Sequence, residues 1–228
     1  MEETFAEIAD ERRELAALLS GLTAEQRATQ SLCSEWIVHD VVAHLVVPLE
    51  VSTPTFLLAM LACRGNFDRA NVRVAREQAR RPFGELVEVL HRKAGSRFTP
   101  PGAGPEAPLT DLLVHGLDIR RPLGILRDIP EARLRTSLTF LTGGGFVPKG
   151  ALDGLRFEAA DLDWAHGSGP AVRGDADALL LALTGRTTAL DHLDGDGVPV
   201  VRARLARPAR RRGRGRGRGR EERSPSER

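Results

Sequence analysis

Tyrosine is absent and only 4% of the residues are aromatic. This excludes phenolic acid–base catalysis and leaves a core to be built mainly from aliphatic side chains. Cysteine is nearly as scarce: Cys33 and Cys63 form no CxxC motif, and a chain of 228 residues needs no disulfide to hold it together. A reducing compartment is the simpler expectation. A clean apolar span of about twenty residues is also missing, since the most apolar region, VVAHLVVPLEVSTPTFLLAMLAC, is interrupted by His44, Pro48, Glu50 and Pro54. The opening MEETFAEIADERREL is acidic and amphipathic, without the basic and apolar sections of a secretory signal. Together these absences predict a cytoplasmic protein with no membrane partner.

An excess of charge is missing as well, but the formal net charge of +2 hides a division. From Arg207 to Arg228 there are ten arginines against three glutamates, a local +7 that leaves −5 for the rest of the chain. This tail, RRRGRGRGRGREERSPSER, has no apolar residues to bury and is expected to be disordered. It also lacks the aromatic residues that stack on bases, so it offers weak, nonspecific polyanion binding and no more.

What is present is a globular composition, 41% hydrophobic, with helical periodicity over its first two thirds. Phe5, Ile8, Leu15, Leu18, Leu19 and Leu22 define an amphipathic helix ending near Gly21. A second helix starts after Trp36 and runs unevenly past Pro48 and Pro54 to about Leu61. The region from Phe67 to Phe98 is helical but broken near Pro82, where a backbone donor is lost. After the loop PPGAGPEAP comes a helix with Pro108 near its start and Pro122 with Gly124 as its stop. Another follows from about Glu131 to Leu141. Beyond Leu155 the pattern changes: LRFEAADLDW, PAVRG and VPVVRARL read as short strands, with DADALLLALTG as a helix between the last two. The expected architecture is α plus α/β: a helical bundle over 1–144, a small α/β domain over 145–206, and the tail at 207–228.

In PLTDLLVHGLDIRRPLG, Asp111 and His115 stand four apart, which places them on one helix face. Carboxylate and neutral imidazole are ordinary ligands for zinc and other divalent ions, and His44 in WIVHDVVAHL supplies a third donor from another bundle helix. His39, five residues earlier, faces elsewhere. A plainer account makes both histidines locally bonded helix residues and Asp111 a solvated acid; spacing leaves both accounts open. Asp118, three residues after His115, is within reach of it as a supporting partner. Arg120 and Arg121 either bind an acidic substrate or serve as favourable charges at a helix C-terminus. Trp36 reads as a packing residue. Cys33 reads as a small buried residue, because no basic partner lies beside it in sequence.

SLCSEWIVHDVVAHL resembles the signature of the DinB-like metal-binding helical bundles. LLVHGLDIRRPLG resembles a later helix of one branch, the mycothiol-dependent maleylpyruvate isomerase family, and VRGDADALLLALTGR resembles the small C-terminal domain that this family adds. The resemblance implies a four-helix bundle and a divalent metal, usually zinc, held by His44 and by a Glu-xxx-His pair whose positions are Asp111 and His115. The aspartate is one methylene shorter than the family's glutamate. Also implied are mycothiol or a similar thiol as cofactor, cis–trans isomerisation or S-transfer on a small electrophile, and a catalytic arginine, Arg186, that faces the metal from the C-terminal domain and binds an acidic group of substrate or thiol; read by itself, Arg186 is equally an exposed arginine after a glycine cap. The competing expectation is a non-catalytic metal-binding or regulatory module whose tail binds a polyanion.

Overall fold

The computed structural model describes residues 1–147 and 150–206. The tail expected to be disordered lies outside these residues. The chain forms α1 (Glu2–Ser20), α2 (Ala24–Arg27), α3 (Val38–Glu50), α4 (Thr53–Ala62), α5 (Phe67–Gln78), α6 (Phe83–Arg92), α7 (Glu106–Arg120) and α8 (Glu131–Thr142). Then follow β1 (Arg156–Ala159), β2 (Ala165–Gly167), β3 (Ala171–Gly174), α9 (Ala176–Leu183), a 3-10 turn (Thr187–His192) and α10 (Val198–Leu205).

Local chemistry sets most of these boundaries. Thr23 and Gln26 cap α2 reciprocally, and the Asp40 carboxylate accepts from the Ile37 amide at 3.0 Å, at the start of α3. The uneven helix expected past Pro48 is two helices. Pro48 is accommodated inside α3, whereas Val51 turns extended and Ser52 caps a new helix with Pro54 in its first turn. Asn66 caps α5, and Pro82 separates α5 from α6.

Helices α1 and α3 each pack against both α6 and α7, while α5 covers the outer side of α3. Between Ala107 and Arg120, α7 is buried at every position except Pro108 and Asp111, because it also packs against α8 and α9. A helix surrounded in this way is apolar nearly all round, and its few polar side chains stand out as unusual.

The sheet has the order β2-β1-β3, with β1–β2 antiparallel and β1–β3 parallel. Phe157 and Val172 face inward and join an apolar cluster that runs without a break from Ile8 to Val201. At Gly167, φ +80 places the backbone in the left-handed region, and an added Cβ would lie 2.2 Å from the Leu155 carbonyl.

Two strand assignments differ from the sequence-based expectation. VPVVRARL is the helix α10: Pro199 has no N–H for a sheet ladder but fits a first helical turn. The third strand is instead AHG, paired through Phe157 and His166, and α9 therefore follows all three strands.

Candidate metal centre

His44 lies in the middle of α3, with Asp111 and His115 one turn apart on α7, and the packing of these helices brings the three together. Asp111 Oδ1 is 3.5 Å from His44 Nε2 and 3.5 Å from His115 Nε2. The ring centres of the two histidines are 4.6 Å apart. Four-coordinate zinc with bonds of about 2.0–2.1 Å requires ligand atoms about 3.3 Å from one another. The shorter aspartate therefore reaches far enough.

Both ring nitrogens of His44 are buried with no hydrogen-bond partner among the described residues. A native interior rarely leaves such atoms unpaired, and a ligated cation is one way to satisfy one of them. Burial favours the neutral acid of Asp111, yet the neighbouring His115 and His44 outweigh this and hold its carboxyl well below the usual range. Burial of His115 works against its charged form, but Asp111, with hydrogen bonds to Asp111, Asp118 and Cys33, pushes its pKa well above the ordinary value. The group thus demands positive charge, which a proton or a divalent cation can supply.

Behind His115 lies a second layer. Asp118, fully buried, accepts from His115 Nδ1 at 2.8 Å, which turns Nε2 toward Asp111. Arg186 grips the same carboxylate with Nε at 2.9 Å and Nη2 at 2.5 Å, and its Nη1 donates to the Thr184 carbonyl at 2.7 Å. Burial would raise the Asp118 pKa, but hydrogen bonds from His115 and Arg186 bring it down to about 2. The C-terminus of α9 places the arginine: Gly185, at φ +88, lets its own amide bond the Ala182 carbonyl and that of Arg186 bond the Leu181 carbonyl.

Cys33, expected to be a small buried residue, is only half-buried and belongs to this layer, where it has a basic partner. Its Sγ is 3.1 Å from Asp118 Oδ2 and 3.0 Å from Arg186 Nη2, although these partners are 85 and 153 residues away in sequence. The loop that carries it is pinned by Ser31 Oγ, which donates to the Trp36 carbonyl at 2.6 Å, and by the Leu32 amide, which bonds the Asp118 carbonyl at 3.2 Å. Cys33, His115 and Asp118 form a second set of potential ligands, but there the Arg186 guanidinium already supplies the positive charge. The His44–Asp111–His115 set is the better seat for a cation.

Trp36 packs as expected, and its surface of contact is the site itself: its ring centre lies 5.0 Å from that of His44 and 6.1 Å from that of His115. Arg121 is held by Asp177 of α9 at 2.5 Å. Arg120 is buried, where desolvation and nearby Arg127 lower its pKa to about 10 against the pull of Glu11 and Glu14. Neither arginine joins the ligand group. His39 packs edge-on against Phe83, away from it.

The profile described as the mycothiol maleylpyruvate isomerase N-terminal domain matches residues 8–97, a segment that includes His44 but not Asp111 or His115. Two crystal structures share the fold. A mycothiol-dependent maleylpyruvate isomerase mutant with a histidine replaced by alanine aligns with a TM-score of 0.58 at 16% identity, over 86% of this chain and 92% of that one. A second structure of the mycothiol-dependent maleylpyruvate isomerase aligns with a TM-score of 0.55 at 17% identity, over the same shares of 86% and 92%. No curated protein matches the chain significantly. Residues 8–97 are thus similar to the mycothiol maleylpyruvate isomerase N-terminal domain, and the chain shares its fold with the two isomerase structures.

Proposed function

We propose that the protein is a metal-dependent enzyme that uses mycothiol, or a similar low-molecular-weight thiol, to isomerise a small electrophile or to transfer the thiol to it. The observation that carries this reading is the His44–Asp111–His115 group, with both histidines buried, matched 3.5 Å spacings, and His44 ring nitrogens that have no hydrogen-bond partner among the described residues. Three protein donors leave coordination positions for a small molecule, as catalytic sites do and structural sites do not. A divalent metal held there, zinc in the first instance, would lower the pKa of a thiol that joins it. Thiolate addition to a conjugated double bond gives an enolate; rotation about the resulting single bond and elimination of the thiolate give cis–trans isomerisation, whereas protonation of the enolate from water in place of elimination gives the thiol adduct.

The chain's own residues hold this arrangement in place. Asp118 fixes the His115 tautomer, Arg186 neutralises Asp118, and Trp36 shields one side of both histidine rings from water. Arg186 acts through Asp118, because its Nε, Nη1 and Nη2 are all engaged by Asp118, Thr184 and Cys33. In this reading α1, α3, α6 and α7 form the four-helix bundle, and the small sheet with α9 forms the C-terminal domain that delivers Arg186. The test is turnover of maleylpyruvate by zinc-loaded protein with and without mycothiol. Thiol-dependent isomerisation or conjugate formation supports the proposal; stoichiometric metal with neither product supports the binding module.

A further inference from the structure

We propose that the outward face of α5, with the loop before α3, forms a binding groove for a small organic polyanion bearing several carboxylate or phosphate groups. Arg69, Arg73, Arg76 and Arg80 line a groove of about 590 Å³ together with Glu35 and Glu77. That volume lies in the range of small-molecule sites. Spacings of four, three and four residues put all four arginines on one side of the helix and its C-terminal turn, where each adjacent like-charged pair works against the helix. The opposite face of α5 buries Ala70, Val74 and Ala75 in a cluster that includes Val47 of α3, so the helix is anchored with its arginines directed outward.

Solvated surface arginines are common, but the neighbours show how this chain usually treats them. Arg80, Arg81 and Arg92 each have a carboxylate within 3.4 Å. Among the described residues, no carboxylate oxygen comes within 4.0 Å of the Arg69, Arg73 or Arg76 guanidinium. Residues 51–82 carry six arginines against two acids, +4, so the rest of the body up to residue 206 has −9. Within residues 1–206, net positive charge is concentrated beside this groove and the remainder is net negative. From Arg69 to Arg80 the ladder spans eleven residues, about 16 Å, which suits charges distributed along one small molecule. Concavity and the flanking Glu35 and Glu77 fit a compact anion better than a continuous nucleic-acid backbone.

The groove is separate from the His44–Asp111–His115 group and the proposal does not rest on a metal there. Glu35 immediately precedes Trp36, however, so an occupant of the groove presses on the loop that covers the two histidines. The emission of Trp36 therefore responds to occupancy of this groove, and because the ring also lies on the two histidines, metal-free protein and the arginine variants assign the response to the groove.

The experiment titrates the full chain carrying Trp164→Phe, which leaves Trp36 as its one indole, with citrate and separately with tripolyphosphate at low salt. Saturable change in emission is expected with at least one probe, and comparison of the two shows whether carboxylate or phosphate is preferred. Arg73→Gln and Arg76→Gln should each weaken binding about fivefold, the scale of one exposed charge pair. Glu35→Gln should tighten it. Each arginine change relieves repulsion along α5, so helix content by circular dichroism should be unchanged. The proposal is overturned if neither probe alters the emission, if the Arg69→Gln/Arg73→Gln/Arg76→Gln variant binds both as the parent does, or if an oligonucleotide binds in this groove while both small anions fail.

Discussion

Replacing Asp118 by Asn removes one charge from the layer behind His115 and separates two roles of that carboxylate. Asp118 is fully buried and Arg186 is 14% exposed, so the substitution leaves a guanidinium unpaired in the interior. Loss of one partner from a buried pair costs about 3–5 kcal/mol. An amide oxygen still accepts from His115 Nδ1, but a neutral partner makes the ring a weaker ligand, and lost support of this kind lowers metal affinity about 10–100-fold. Urea unfolding measures the first effect and competition with a chelator the second. Adding Arg186→Gln to Asp118→Asn removes the orphaned charge and should recover most of the stability while leaving metal affinity low. An Asp118→Asn variant with parental metal affinity would refute the claim that this carboxylate tunes the site.

Acid provides an independent check. The Asp118 pKa lies at about 2 against an ordinary 3.8, because the hydrogen bonds from His115 and Arg186 overcome its burial. A depressed carboxylate stabilises the fold above its unfolded pKa and ceases to do so as pH falls through the folded one, so about 2 kcal/mol should be lost between about pH 4 and pH 2. The Asp118→Asn variant should lack that part of the slope.

Three further outcomes are expected. Asp111→Glu should retain metal with affinity within about tenfold of the parent, because the Asp111 side chain is 31% exposed and a longer acid has room; dialysis against zinc followed by metal analysis checks it. Cys33→Ser should keep full metal stoichiometry in the same measurement, since the Cys33–His115–Asp118 set already contains the Arg186 charge; loss of metal would move the centre there. Leu113→Ala, in the middle of α7 and 1% exposed, should cost about 2–5 kcal/mol in urea unfolding, the usual penalty for an unfilled core cavity.

The site was legible in the sequence where its geometry is local. Asp111, His115 and Asp118 lie within two turns of one helix, so spacing predicts their common face. His44 joins them by helix packing, which periodicity indicates only in outline and the family resemblance specifies. Cys33 was missed because its partners come from α7 and from the turn after α9, and no local pattern connects these segments. The arginine ladder on α5 was present at helical spacing, but the segment was read for its breaks and not for its charged face. VPVVRARL was misread because a short β-branched run suits either a strand or a helix, and only Pro199 favoured the helix.

The most direct measurement of the central claim is a cobalt(II) titration of the parent, His44→Ala and His115→Ala proteins, followed by addition of a thiol. The account predicts one cobalt per chain in the parent, a sulfur-to-cobalt charge-transfer band when thiol is added, and loss of most cobalt in both variants, which remain folded. Full cobalt binding in either variant, or a parental spectrum that ignores thiol because four protein ligands close the shell, would contradict it.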